Sequence, residues 1–335
     1  MPEFPALAAV LEGLHVVSIP MAVRFRGVDQ REAALVRGPV GWGEFSPFLE
    51  YDAQESSRWL SAALEAAWSG WPDPVRGEVP VNATVPAVPA RQVPEVLRRF
   101  AGATTAKVKV AEAGQGLQDD LDRVAAVRDA LGPGGRIRVD ANGAWSVDQA
   151  TDALARLAAY DLEYAEQPCA RVGELREVRL ALARRGISVL VAADESIRKA
   201  DDPLRVAREQ AADLVVVKVA PLGGVRRALE IVSDCGLPAV VSSALDTSVG
   251  MAAGVALAAA LPQLPYACGL GTVALLAGDV SRTSVIPVDG VLPVGPAQVD
   301  EELLERWAAS AERQRWWRDR VTACHDALSG NTVDP

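Results

Sequence analysis

From about Val79 onward the chain alternates two kinds of stretch. Short apolar runs with β-type residues recur at regular intervals: "VPVNATV", "TAKVKV", "RIRVDAN", "LEYAEQP", "VLVAADES", "LVVVKVAP", "PAVVSSAL" and "YACGLGT". Between them lie Ala/Leu/Arg-rich stretches such as "LDRVAAVRDAL" and "VDQATDALARLAAY", with apolar residues at helical spacing. Eight strands with intervening helices predict an α/β barrel, a modified TIM barrel of the (β/α)7β kind. The first 78 or so residues are patterned differently. "LHVVSIPMAV" and "REAALVRGPVGWGEF" predict a small antiparallel sheet, and "AQESSRWLSAALEAAW" a helix. The tail from about Ser284, with "DEELLERWAASAERQRWW", is expected to return to that sheet. Residues 1–78 then form the first part of an α+β capping domain, 79–283 the barrel, and 284–335 the returning segment, with Pro72, Pro74 and Pro80 marking the boundary. The longest apolar run, Val249 to Leu261, is too short to span a bilayer and predicts a helix packed on a sheet.

In barrels of this type catalytic side chains sit at the C-terminal ends of strands, so polar residues ending apolar runs carry the information. In "TAKVKV" the period of two puts Lys107 and Lys109 on one face. Asp140, Glu166, Asp194 and Lys218 end the next four runs, spaced by 26, 28 and 24 residues, one β/α unit per step. Each acid alone has an ordinary explanation, as a turn former, a loop carboxylate or a helix cap. Three of them on consecutive strands, flanked by lysines, point elsewhere. A hard divalent cation satisfies several carboxylates at once, and Mg²⁺ is the economical choice. Two adjacent ammonium groups disfavour each other's protonation, which would bring one lysine toward the range of a base acting on an α-proton. The alternative is that the lysines ion-pair with the acids. Against it, Lys218 stands in an almost wholly apolar run, where a lysine is costly unless used.

Composition narrows the picture further. The 335 residues carry a net charge of −10 and no Lys/Arg block, which argues against nucleic acid as a partner. Only two histidines occur, His15 and His325, so a histidine zinc site or a Ser-His-Asp triad is nearly excluded. Cys169, Cys235, Cys268 and Cys324 show no CxxC pairing and fit reduced thiols, and the N-terminus lacks the basic start of a signal peptide. The expectation is a cytoplasmic enzyme with a small-molecule carboxylate substrate, no membrane association and no obligate protein partner.

A KxK pair ending the second strand, then "DAN", "EQP" and "DES", then a lysine ending the sixth, resembles the muconate-lactonising-enzyme subgroup of the enolase superfamily. Within it, "SSALDTSVG", "ACGLGT" and "GWGEFSPFLEYD" are similar to the o-succinylbenzoate synthases of actinobacterial type. The resemblance implies dehydration of 2-succinyl-6-hydroxy-2,4-cyclohexadiene-1-carboxylate to 2-succinylbenzoate, a step of menaquinone synthesis. It implies Asp140, Glu166 and Asp194 as ligands of Mg²⁺, with Mn²⁺ able to substitute, and Lys109 as the base that takes the α-proton and returns it to the leaving hydroxide. Lys107 would tune Lys109, and Lys218 would face the opposite side of the ring. Arg138, Ser243, Gly269 and Gly271 are the expected substrate-binding residues, Arg138 being equally suited to neutralising the acids. The cap segments Arg24 to Asp29 and Phe45 to Tyr51 would close over the succinyl arm. Dipeptide epimerases of the subgroup present acids after the eighth strand, and "GLGT" offers none. N-succinylamino acid racemisation stays open as an alternative, a muconate-type cycloisomerase less so, and a barrel that only binds an acidic ligand is opposed by the complete set of lysines and acids.

Overall fold

The computed structural model describes residues 4–25, 27–198 and 202–330. Three N-terminal strands, β1 (Leu14–Phe25), β2 (Val28–Arg37) and β3 (Trp42–Phe45), form an antiparallel sheet in the order β1-β2-β3. Alternation gives this sheet two apolar faces. Val17, Ile19, Ala33 and Leu35 meet Val280, just before the returning C-terminal segment, and Leu304 within it. Val16, Ala34, Val36 and Phe45 meet the helices Ala53–Leu64 and Ala311–Ser329, through Trp59, Leu60, Trp317 and Val321. Asp52 starts the first of these helices by accepting from the Glu55 N–H at 2.8 Å. Arg313 and Trp317 of the second donate to Glu32 on β2, tying the end of the chain to its beginning.

The strand β4 (Glu78–Pro80) pairs with β12 (Val291–Pro293) outside the barrel. The barrel itself is a parallel sheet of consecutive strands: β5 (Ala83–Val85), β6 (Thr105–Lys109), β7 (Arg136–Asp140), β8 (Leu162–Glu166), β9 (Leu190–Ala193), β10 (Leu214–Val217) and β11 (Ala239–Val241). The eighth run, "YACGLGT", forms no regular strand. It makes single parallel bridges, Cys268 to Val81 and Gly269 to Ser242, and so lies between β11 and the first strand. Close approach explains the irregularity: a side chain at Gly269 would begin 2.6 Å from the Ser242 hydroxyl. The apolar run near Val249 is the helix Ser248–Ala260, buried along most of its length. All four cysteines are buried and free. No helix among the described residues is long and apolar enough to cross a membrane.

Candidate active site

Strand register sets the site. Lys109 stands opposite Asp140, and Asp140 opposite Glu166, so three of the expected residues share one level at the C-terminal rim; Lys107 sits one layer lower, opposite Arg138. Asp194 follows β9 and Lys218 follows β10. All six residues are buried, none more than 8% exposed. The structure brings them together as ion pairs. Lys107 donates to both Glu166 oxygens at 2.9 and 3.0 Å. Lys109 donates to Asp140 Oδ2 at 2.5 Å, and Lys218 donates to Asp194.

These pairings decide the charges. Burial alone would lower the Lys107 pKa, but Glu166 and Asp140 outweigh it and leave the ammonium raised above its ordinary value. The expected mutual weakening of the two lysines is therefore not what this arrangement shows for Lys107. Burial dominates at Lys218 and lowers its pKa despite Asp194. Glu166 is pushed up to about 7, by burial first and then by the neighbouring Asp140 charge. Asp194 would also be raised by burial, yet Lys218 and Arg198 hold it below the usual carboxylate range.

Several residues not singled out in the sequence support this set. Asn142 of "DAN" accepts from Lys109 Nζ at 2.7 Å and donates to Glu195 at 3.2 Å. Its left-handed backbone, φ 48°, suits asparagine, and its N–H is taken by Asp140 Oδ1. Gln167 of "EQP" is fully buried and accepts from the N–H groups of Asp194 and Ser196, locking two strand ends together. Arg198 bridges Asp194 and Glu195 and donates to Tyr51 of the cap. Arg123 donates to the Lys109 carbonyl at 2.9 Å and the Val88 carbonyl at 2.7 Å from the helix behind the strand. Asparagine and glutamine following strand-end acids were the available signal; Arg123 and Arg198, inside ordinary helical patterns, gave none.

The expected substrate-binding residues divide. Arg138 does not reach the rim: it is fully buried deeper in the barrel, pairing with Glu163 at 2.5 Å, donating to Asn82 and to the Ala267 carbonyl, and lying over the Tyr164 ring. A register shift between Ile137 and Arg138 leaves Glu163 as the extra residue that receives it, so the Arg138 guanidinium pairs with Glu163 rather than with the rim acids. The Gly269 N–H is spent on the Val241 carbonyl at 2.8 Å, which removes it as a carboxylate donor. Gly271 is a packing residue, since an added Cβ would meet the Phe100 ring at 2.9 Å. Ser243 does line the site, with its hydroxyl between the Gly269 carbonyl and Thr272.

A small cavity of about 30 Å³ lies among Lys107, Lys109, Asp140 and Lys218, walled by Phe25 and Phe48 of the cap and by the loop from Ser242 to Leu245. Beside it opens a groove of about 730 Å³ between residues 22–25 and 27 of the cap and the loops after β5 and β6, with Lys109 and Asn142 at its inner end. That volume is in the range of small-molecule sites. Phe25 lies over the Lys109 ammonium at 5.4 Å. Arg24 pairs with Asp29 on the outer side, while Arg26 is outside the described residues.

Among the described residues no group of three or more acidic, histidine or cysteine side chains stands close enough to hold a metal ion as placed. The lysines take up the acids. The donor set nevertheless fits a hard divalent cation: three carboxylates come from consecutive strand ends, and burial with the Asp140 and Asp194 charges raises Glu166 even against Lys107 and Lys218.

The chain matches the enolase C-terminal domain-like family over residues 90–298 and the enolase N-terminal domain-like family over residues 16–67. It is 58% identical over 322 residues to o-succinylbenzoate synthase of Mycolicibacterium smegmatis, covering 96% of this chain and 98% of that protein. It is 60% identical to o-succinylbenzoate synthase of Thermobifida fusca, covering 86% of this chain and 89% of that one. Among solved structures, muconate lactonizing enzyme from Pseudomonas putida superposes with a TM-score of 0.71 at 21% identity, over 88% of this chain and 98% of that chain. A dipeptide epimerase from Enterococcus faecalis superposes with a TM-score of 0.67 at 21% identity, over 85% and 97%. At that identity the two structures speak for the fold alone.

Proposed function

We propose, for a chain that belongs to the enolase superfamily and within it to the o-succinylbenzoate synthases, that it dehydrates 2-succinyl-6-hydroxy-2,4-cyclohexadiene-1-carboxylate to 2-succinylbenzoate, with Lys109 as the base. The observation that carries this reading is one cavity lined by Lys109 on one side and by Lys218, four strands farther round, on the other. Lys109 removes the proton α to the substrate carboxylate. The resulting ammonium gives that proton to the hydroxyl on the adjacent carbon, the C–O bond breaks, water leaves, and the ring becomes aromatic. One group serves both half-steps because both bonds lie on the same face. Lys218, on the other face, stabilises the negative charge that develops between them. Asn142 orients Lys109 through its 2.7 Å contact, and Lys107 sets the local field from the layer below.

Superfamily enzymes use a divalent metal ion. We assign it to Asp140, Glu166 and Asp194 and take it to be Mg²⁺, with Mn²⁺ as a substitute. Bound there by Asp140, Glu166 and Asp194, the cation would supply Lewis-acid stabilisation of the negative charge that develops when the α-proton leaves. Residues 1–78 and 284–335 supply the cap, with Phe25 and Phe48 shutting water from the cavity, and residues 79–283 supply the chemistry. Buried, unpaired thiols support a cytoplasmic place for it.

Purified protein assayed in parallel with the cyclohexadiene substrate and with N-succinyl amino acids tests the reading. Aromatisation, followed by its ultraviolet absorbance, is the expected result, and its absence overturns the proposal. Lysines on both sides of one cavity also suit two-base racemisation, so racemisation without dehydration would establish the alternative.

A further inference from the structure

Cap and barrel meet at a buried knot of polar groups that the dehydration steps above do not use. Its centre is Arg31 on β2, only 4% exposed. Arg31 Nε donates to the Leu245 carbonyl at 2.9 Å; Nη2 donates to the Ala244 carbonyl at 3.1 Å, to Ser46 Oγ at 3.0 Å and to the Ser46 carbonyl. The same guanidinium lies over the Phe48 ring at 4.9 Å. Ser46 passes the connection on by donating to Glu44 at 2.7 Å. Glu44 in turn accepts from the Thr247 hydroxyl at 2.6 Å and the Gly250 N–H at 3.0 Å. The loop after β11 is thus gripped at 244–245 by Arg31 and at 247–250 by Glu44. Leu245 sits in the left-handed region at φ 64°, a conformation a leucine keeps only where its surroundings impose it.

The position of this grip matters because of what it holds. Phe48 from the cap and Ala244 and Leu245 from the barrel all wall the catalytic cavity, beside Ser242 and Ser243. We propose that Arg31 is a positioning residue for the dehydration: it joins the Phe48 wall to the Ala244–Leu245 wall, so that the substrate cavity cannot loosen on one side alone. A planar fork of donors is needed for this, since two carbonyls on one chain segment and two oxygens on another are met at once. A lysine keeps the charge but has no such fork. The inference rests on the functional reading above and concerns how the same cavity is held in shape.

Arg31→Lys, Ser46→Ala and Arg313→Met test it, the last being a cap variant whose partners, Glu32 and the Trp316 ring, do not line the cavity. Arg31→Lys should raise KM by about tenfold while changing kcat by less than about threefold, the signature of lost substrate binding with the chemical step intact. Ser46→Ala should raise KM in the same direction by a smaller factor. Arg313→Met should lower Tm and leave KM at the wild-type value. Hydrogen exchange of the backbone amides is read on the same samples, and Arg31→Lys should speed exchange in 46–51 and 242–250 together. An unchanged KM in Arg31→Lys, or an equal KM rise in Arg313→Met, overturns the inference, as does faster exchange in only one of the two segments. If Arg31→Lys does not fold, Ser46→Ala decides, and an unchanged KM there overturns it. A wild-type protein that performs no dehydration removes the functional reading instead, while the exchange measurement still decides whether Arg31 joins the two walls.

Discussion

At the scale of single residues, the two lysine faces make different demands. Dehydration needs one proton carrier, and Lys109 stands in contact with Asp140 and Asn142 at the rim, whereas Lys218, which donates to Asp194, is proposed to supply charge alone. Arginine keeps the charge but does not release its proton near neutral pH. We expect Lys218→Arg to retain measurable dehydration and Lys109→Arg to have none, by direct assay. Equal loss in both variants would contradict the assignment of Lys109 as sole base. Asn142 offers a second test. Asn142→Gly keeps the left-handed backbone while deleting the contact to Lys109, so kcat should fall on the order of 10²-fold, the scale of general-base contributions, with KM little changed. A wild-type kcat in that variant would show that Lys109 needs no such support.

At the scale of elements, the barrel closes through an irregular segment rather than an eighth strand. The closure depends on Gly269, whose N–H goes to Val241 and whose carbonyl receives Ser243. A methyl group there would start 2.6 Å from Ser242 Oγ and 3.3 Å from its Cβ, so that side chain or the loop that carries it would have to shift. Gly269→Ala should therefore destabilise the protein by about 1–3 kcal/mol, the usual cost of overpacking, and lower activity because Ser243 shifts with it. Thermal unfolding measures the first effect; an unchanged Tm would mean that the closing segment yields freely. The helices that carry Arg123 and Arg198 show the same dependence in reverse. They lie outside the strands, yet their side chains fix the Lys109 carbonyl and the Asp194 carboxylate.

At the scale of the whole molecule, chelation should abolish dehydration, and addition of Mg²⁺ or Mn²⁺ should restore it. Full turnover in excess EDTA would remove the metal assignment. The contact between cap and barrel carries a pH dependence as well. Glu44 is buried there, and its pKa is pushed up to about 7 by burial first and then by Asp246, against the opposing effects of Thr247, Ser46 and Arg31. A carboxyl raised in this way binds its proton more tightly folded than unfolded between its ordinary value of 4.5 and about 7. Stability contributed by Glu44 is then present at the acid end of that window and lost as pH rises through it. Asp246, also raised by burial, acts with the same sign. Tm measured from pH 5 to 8 in Mg²⁺-containing buffer should fall less steeply with pH in Glu44→Gln than in the unsubstituted protein. Parallel slopes would show that this carboxyl is ionised throughout.

Much of this protein could be read from local rules. A period of two put Lys107 and Lys109 on one face, and one acid per β/α unit at the ends of apolar runs marked a shared rim, because a barrel delivers strand ends to one side whatever its details. Hydrophobic alternation likewise marked a cap sheet distinct from the barrel. What the pattern could not settle were choices made between distant segments. Arg138, on the same strand face as Asp140, turns to Glu163, Asn82 and the Ala267 carbonyl because a register shift supplies a partner deeper in the barrel. The Gly269 N–H is consumed by closure with Val241, and Gly271 by the space Phe100 needs. Arg31 donates to carbonyls more than two hundred positions away from it in the chain. Periodicity reports which face a side chain takes, whereas the partner it finds depends on strand register and on packing between segments remote in sequence, and those exist only once the chain has folded.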